Sequence, residues 1–239
     1  MDHKMKNSIL IMILVSVLAA GCMAPVMTGR VETGSENVSL DGAESVRAYV
    51  VMGAGTLQIE GGADSLLEAN TRYSHRSLAP DIHYRVKQNG QGVLDIEQDD
   101  GPKFQMSDNY LNDWDLAFNN EIPLELFVTL GAGECELDLN ALNLKSFTMQ
   151  MGAGESTLDL ADYSGGDLEV EVEGGVGELT LYLPSETRVE VSVRAGLGEV
   201  NSTGLERENG LYVTDPSETG SVIEIQIKAG IGQLNLIAR

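Results

Sequence analysis

The side chains that could carry out chemistry are few and widely spaced. His75 and His83 are the histidines that follow residue 22, and neither stands in a His-x-x-x-His spacing or beside a cysteine pair. Their positions do not define a Ser-His-Asp arrangement either. The pattern predicts surface or hairpin positions for both histidines, no catalytic residue, no metal site and no cofactor.

Carboxylates are so abundant that their presence alone indicates little. Asp99, Asp100, Asp108, Asp113 and Asp115 form an acidic segment, but it lacks the turn-forming glycine and the fixed oxygen offsets of a calcium loop. We therefore expect a solvated loop. A pair of carboxylates for glycoside cleavage stays open, because acidic residues occur throughout the chain.

Cys22 has the most specific sequence context. A short basic start leads into an apolar run over residues 9–20, which ends in Leu18-Ala19-Ala20-Gly21-Cys22. This run closely resembles the box of bacterial lipoproteins, in which the signal is cut before the cysteine and the thiol receives a diacylglyceryl group. The alternative is a plain secretory signal followed by an unmodified cysteine.

The apolar run is too short to anchor the protein by itself. As a helix it would span roughly 18 Å, against a bilayer core of about 30 Å. We therefore predict a signal peptide over residues 1–21, lipidation at Cys22 and a tether over residues 22–40. Membrane attachment would then be through the lipid at Cys22, on the extracytoplasmic side.

Cys135 is predicted to be structural. It lies in an alternating run, on the same face as neighbouring leucines, with no histidine beside it in the sequence. Because Cys22 would be acylated, no intrachain disulfide can form. We expect Cys135 to be a small buried hydrophobe rather than a nucleophile.

The composition excludes several classes of protein. The 239 residues include 37 acidic and 15 basic side chains, a formal charge of −22. Nucleic acids require clustered Lys and Arg, and an anionic membrane surface also attracts basic segments, so neither is an expected electrostatic partner. The 42% apolar content supports a core, and the 5% aromatic content makes that core aliphatic.

A repeat organises the rest of the chain. A Gly-x-Gly unit recurs six times, with its glycines at Gly53 and Gly55, Gly131 and Gly133, Gly152 and Gly154, Gly175 and Gly177, Gly196 and Gly198, and Gly230 and Gly232. None of the units has the third glycine of a dinucleotide fingerprint, and a strand pattern follows where that fingerprint needs a helix. We interpret these glycines as structural corners.

The residues before each corner alternate as in a half-buried strand. The positions three and five residues before the first glycine are all apolar: Val50, Val128, Met149, Val172, Val193, Ile227, and Ala48, Leu126, Phe147, Val170, Val191, Ile225. The apolar face resumes four residues after the first glycine, which is an odd number of steps from the residue before it. The second glycine is therefore expected to hold a one-residue irregularity, with the middle residue pointing inward.

These units predict an all-β fold. Each unit would form a rung of two strands joined by a corner, and the rungs would stack into a β-solenoid over residues 41–239. Residues 60–123 interrupt the repeat as an inserted or capping region, with a hairpin through Asn89-Gly90. The competing interpretation is an antiparallel meander or sandwich.

The quoted motifs resemble those of the toast-rack family, extracytoplasmic proteins related to the cell-wall-active antibiotic response proteins of bacteria. The matching stretches are Val51-Met52-Gly53-Ala54-Gly55, Gly131-Ala132-Gly133-Glu134 with Leu137-Asp138-Leu139, and Met151-Gly152-Ala153-Gly154 with Leu158-Asp159-Leu160. The resemblance implies a stacked β-solenoid and links to envelope stress and to binding of envelope components. It implies no catalytic residues.

Together these observations indicate a lipid-anchored, extracytoplasmic, non-enzymatic β-solenoid. It would act as an interaction or sensing module at the cell envelope, with envelope proteins as partners. The alternative is a carbohydrate-binding or carbohydrate-cleaving solenoid, which a cleft lined by exposed aromatic rings and close acids would favour.

The residue after each corner predicts one further feature. Glu134, Glu155, Glu178 and Glu199 would form a column with neighbours about 4.8 Å apart. These carboxylates either keep the corner soluble or form a weak rail for divalent cations.

Overall fold

The computed structural model describes residues 31–98, 110–214 and 220–239. Within them the chain forms thirteen strands and one turn of 3-10 helix, Arg76–Leu78. The strands are β1 (Glu32–Val38), β2 (Ser45–Gly61), β3 (Leu67–Tyr73), β4 (Pro80–Val86), β5 (Gln91–Gln98), β6 (Asn112–Phe118), β7 (Leu124–Asp138), β8 (Leu144–Asp159), β9 (Leu168–Leu183), β10 (Arg188–Thr203), β11 (Glu206–Glu208), β12 (Leu211–Val213) and β13 (Val222–Ala238). The predicted all-β class is confirmed.

Six long strands, β2, β7, β8, β9, β10 and β13, form the body of the molecule. Each carries one Gly-x-Gly corner, which divides it into a first arm and a second arm. Neighbouring rungs pair in parallel and in register, so that Val50 lies beside Val128, and Val128 beside Met149. This parallel stacking confirms the β-solenoid and excludes the antiparallel meander.

The rungs do not stack in chain order. β13 lies between β9 and β10, and Gly232 pairs with both Gly177 and Gly198. The physical reason lies in the second arms, where Leu236 of β13 is fully buried and its partner on β10 is Ser202, which is exposed. An apolar arm gains from a neighbour on each side, whereas a polar arm tolerates the end of the stack.

Residues 60–123 cover the opposite end of the stack. β5 continues the first arm beside β2 and β6 continues the second arm, so the two strands act together as a split rung. β4 and β3 then pair antiparallel with β5 and β6, respectively. The predicted hairpin joins β4 to β5, with Gly90 at φ +80° and its N–H donating to the Lys87 carbonyl at 3.0 Å.

The folded part begins earlier than the sequence indicates. Residues 32–38 belong to the tether predicted over residues 22–40, but they form β1, which pairs antiparallel with β3. β1 is a polar edge strand in which only Gly34 and Val38 are half-buried. Such a strand has no apolar alternation to reveal it, because it is held mainly by backbone hydrogen bonds. The tether prediction is therefore wrong for these residues.

The two arms enclose one aliphatic core. Buried side chains from β2 through β13 form a single hydrophobic cluster, and Val31–Arg239 is one compact unit. Trp114 is the largest of the fully buried side chains, and its indole N–H donates to the Leu78 carbonyl at 3.3 Å. A fragment that contains these residues therefore contains every described strand and the whole core.

Ion pairs between neighbouring rungs lie on the outer faces. The Arg47 guanidinium donates to the Glu125 carboxylate at 2.9 Å, between β2 and β7. The Lys228 ammonium lies 2.8 Å from a Glu171 oxygen and 2.7 Å from a Glu173 oxygen. The hydrogen bonds to these two carboxylates raise the pKa of Lys228. These basic side chains are thus committed to acids of the same molecule.

Candidate functional site

The corners hold the backbones of successive rungs in close contact. The second glycine of every unit has a positive φ, between 134° and 158°. A Cβ atom on Gly177 would collide with the Gly154 carbonyl oxygen of the neighbouring rung, and one on Gly175 would collide with the Gly152 carbonyl oxygen. The second glycine is therefore required by its φ and by the close approach, and the first glycine by the close approach alone.

Side-chain sizes exchange along the stack on either side of the first glycine. The residue before it is Met52, Leu130 and Met151 in β2, β7 and β8, but Gly174, Ala229 and Ala195 in β9, β13 and β10. The residue after it is Ala54, Ala132 and Ala153 in the first three strands, but Val176, Ile231 and Leu197 in the last three. The large side chains thus change sides of the glycine at β9.

This exchange leaves a shallow apolar depression at the corners of the last three rungs. It has a volume of about 560 Å³, open to solvent, and Met149, Val172 and Leu234 contribute to its lining. Gly174 and Ala229 lie where larger side chains fill the equivalent space in β2 and β7. The depression therefore follows directly from the small residues before these corners.

The middle residues of the last three corners are exposed. Val176, Ile231 and Leu197 are 56%, 54% and 72% exposed, and they are neighbours in the strand register. The expectation that the middle residue is buried is wrong at these positions, because Gly174, Ala229 and Ala195 offer little side chain to cover it. We refer to Val176, Ile231 and Leu197 as the corner row. Exposed aliphatic side chains in a contiguous group are typical of interaction sites.

Carboxylates border the corner row, but not as one continuous column. Glu134 pairs in register with Glu155, and Glu155 with Glu178. Gln233 of β13 then stands between Glu178 and Glu199, so the expected contact between those two glutamates is wrong. The inserted strand interrupts the like-charged series at that point. Among the residues that the structure describes, no group of three or more His, Cys, Asp or Glu side chains is placed to hold a metal ion.

Comparisons with known proteins identify the fold family. A family model described as the N-terminal domain of toast_rack, DUF2154, matches residues 27–182. The chain belongs to the toast-rack family. No protein with a curated description matches this toast-rack chain.

Solved structures with the same architecture include two proteins that have been assigned to adhesion. A proposed cell adhesion protein from Clostridium sporogenes is 32% identical, with a TM-score of 0.83, over 88% of this toast-rack chain and 100% of that chain. A proposed adhesin from Bacteroides fragilis is 13% identical, with a TM-score of 0.35, over 86% of this chain and 96% of that chain. The first of the two shares the full architecture of this toast-rack protein.

Cys135 lies in the core of the toast-rack stack. It is 3% exposed, and burial raises the pKa of its thiol to about 12. A thiol with such a pKa stays protonated at neutral pH and is a poor nucleophile. The structure therefore gives Cys135 a packing role.

The histidines and the described acids are held in local surface contacts. His83 lies on β4 with a ring nitrogen 3.1 Å from an Asp81 oxygen, and His75 accepts a hydrogen bond from the Ser77 N–H at 3.2 Å. Asp113 lies 3.7 Å from the Arg72 guanidinium. The structure does not bring His75 and His83 together with the acidic segment into one cleft.

Some predicted residues lie outside the described part of the chain. Cys22, the signal peptide and the remainder of the tether precede residue 31, and Asp99, Asp100 and Asp108 fall in the undescribed segment 99–109. In the described ranges no helix is long and apolar enough to cross a membrane.

Sequence reasoning missed the corner row, although a signal for it exists. The middle residue grows from alanine to a branched aliphatic residue in the same three units in which the residue before the first glycine shrinks. Read together, the two columns show that apolar volume moves from one side of the glycine to the other. Each column alone shows only apolar residues.

Proposed function

We propose that this chain is a lipid-anchored, extracytoplasmic module of the cell envelope that works by binding or sensing other envelope components and catalyses no reaction. The corner row is the observation that carries this proposal, because it places three aliphatic side chains in water on a rigid stack. A monomeric protein gains nothing for its own stability from such a group.

The relative from Clostridium sporogenes supports the same function. It is described as a proposed cell adhesion protein, and this chain matches its whole length at 32% identity. Adhesion requires a surface location, which agrees with the lipidation expected at Cys22. The lipid would hold the stack close to the membrane while its outer faces stay accessible.

The distribution of reactive groups supports a role in binding rather than catalysis. The Cys135 thiol is buried, with a pKa of about 12, and His83 is engaged with Asp81 on the surface. General acid–base chemistry needs such groups to converge on one position in a substrate cleft. The most prominent exposed group in the described ranges is instead aliphatic.

The carbohydrate alternative is supported by one polar recess on the outer face of the N-terminal end. Asn70, Arg72, Gln58 and Asp113 line it. The recess includes one aromatic residue, Trp114, whose side chain is 1% exposed. Sugar binding commonly uses an exposed aromatic face, so the recess supports this alternative less strongly than the corner row supports protein contact.

Binding to cells can be tested with beads that carry residues 23–239. Beads with the wild-type fragment should be retained on cells of a bacterium that carries this protein, and beads with Val176→Ser/Ile231→Ser should be retained less. The matched control is Val51→Ser/Val86→Ser, which removes two exposed valines elsewhere on the surface. Retention equal to that of uncoated beads would defeat the proposed function.

Two treatments separate protein partners from carbohydrate. If envelope proteins are the partners, protease treatment of the cells should abolish bead retention and soluble cell-wall polysaccharide should not compete. Retention that survives protease and is lost to polysaccharide would favour the carbohydrate alternative.

A further inference from the structure

The stack ends at β10 with an open edge. β12 pairs with β10 only at Glu190 and Val191. Over residues 192–203, no described strand pairs with β10 on the side opposite β13. Leu197, the most exposed large hydrophobic side chain of the described chain, lies in the middle of this edge. Proteins usually cover such edges, because unpaired backbone groups recruit other strands.

A second copy of the same edge fits this one by symmetry. A two-fold axis that bisects the corner exchanges the first and second arms and reverses the strand direction, but keeps the apolar face inside. Two β10 strands then pair antiparallel with their corners aligned, Gly196 opposite Leu197 of the second copy. An interface of this kind uses the same surface patch on both copies.

The faces of the two strands match in this register. Val193 of one copy lies opposite Val200 of the other, and both are half-buried members of the core face. Ser192 lies opposite Asn201. Because the corner holds a one-residue irregularity, the buried positions before it and after it are related by the same two-fold axis. The pairing therefore buries apolar side chains from both copies and exposes polar ones.

The charges in this register are complementary. Arg194 of one copy lies opposite Glu199 of the other, and the symmetry produces this pair twice. In the described part of the chain, neither side chain has an ion-pair partner, whereas Arg47 and Lys228 each contact acids on neighbouring rungs. An arginine left unpaired in a chain of net charge −22 is available for a partner's carboxylate.

We propose that two copies of this chain associate through residues 192–201 of β10, antiparallel, to give one continuous stack of twelve rungs with paired Arg194 and Glu199. The proposal goes beyond the proposed function, because it needs no other envelope component. The net charge opposes association at long range, but at about 0.15 M salt that repulsion is screened beyond roughly 8 Å. Charges in direct contact across the strands still interact.

The proposal predicts a charge-swap pattern in sedimentation velocity of residues 23–239. The wild-type fragment should be dimeric at about 100 µM, and Arg194→Glu or Glu199→Arg should each weaken dimerisation by about tenfold or more. The double variant Arg194→Glu/Glu199→Arg should restore it, because the pair is re-formed with its signs exchanged. The matched control Arg72→Glu, at the other end of the stack, should leave dimerisation unchanged.

Cysteine cross-linking tests the register independently of charge. Oxidation of a mixture of Arg194→Cys and Glu199→Cys fragments should give a disulfide-linked dimer, because the two positions face each other. The control mixture of Arg194→Cys and Asn201→Cys, displaced by two residues, should cross-link far less. Cys135 does not interfere while the fragment is folded, since its thiol is buried.

Several outcomes would overturn the proposal. A wild-type fragment that stays monomeric at about 100 µM, a dimer insensitive to both single reversals, or a double variant that fails to recover would each do so. If a reversal unfolds the fragment by circular dichroism, the cross-linking result decides. Bead retention on cells by a strictly monomeric fragment would support the proposed function and overturn only this dimer.

Discussion

The Gly154 carbonyl oxygen occupies the position that a Cβ atom on Gly177 would need. The two residues belong to adjacent rungs and are paired in register, and each has a positive φ, 136° and 144°. Every rung therefore depends on the absence of a side chain at its own second glycine. The corner is a contact between backbones, not only a bend within one strand.

We predict that Gly177→Ala lowers the free energy of unfolding by about 1–3 kcal/mol from its backbone conformation alone. The collision with Gly154 adds to this cost. Gly174→Ala, three residues earlier on β9, should change the free energy by no more than about 0.5 kcal/mol, because nothing lies within 4 Å of the added Cβ. Urea unfolding followed by Trp114 fluorescence measures both. Similar small effects at the two positions would contradict the corner geometry.

Glu155→Gln should raise the midpoint of thermal unfolding at low salt. Glu155 is flanked in register by Glu134 and Glu178, so the change removes two like-charged neighbours. Glu199→Gln should have a smaller effect, since its neighbour on β13 is Gln233. The melts are compared at a concentration where the fragment is monomeric, and the gain at position 155 should disappear in high salt. A larger gain at position 199 would contradict the order of the rungs.

Cys135 should make stability fall at alkaline pH. Its thiol has an ordinary pKa of 9.0 and a folded-state pKa of about 12, so unfolding releases a proton between these values. The contribution is fully present below pH 9 and is lost as the pH rises toward about 12, with a slope of about 1.4 kcal/mol per pH unit. Urea unfolding of residues 23–239 should show this extra loss in the wild type and not in Cys135→Val. Equal slopes for the two proteins would show that the thiol titrates alike in both states.

Cys22→Ser should abolish lipid attachment of the full chain. Incorporation of a radioactive fatty acid should be lost, and the protein should leave the membrane fraction, because the apolar run of residues 9–20 is too short to anchor it. Cys135→Val is the matched control and should keep both label and location. Fatty-acid label that persists in Cys22→Ser would defeat the lipidation hypothesis.

The sequence by itself determined the local features of the rungs. Alternation of apolar residues such as Val170 and Val172 defines which face of a strand is buried, since side chains alternate between the two faces. The odd step across each corner indicated an irregularity that a glycine can hold. Burial of Cys135 follows from the same alternation, and the hairpin follows from Asn89-Gly90. These features depend on residues close together in the chain.

Only the tertiary structure decided which rungs are neighbours and which surfaces stay open. Parallel pairing uses backbone groups that all rungs share, so the alternation does not show that β13 lies between β9 and β10. That order follows from the need to cover Leu236 on both sides while Ser202 remains at the end. The exposure of Leu197 depends in turn on β10 being the last rung and on small residues at the neighbouring corners. Such features arise from competition between distant strands for the same neighbour, and no local pattern encodes its result.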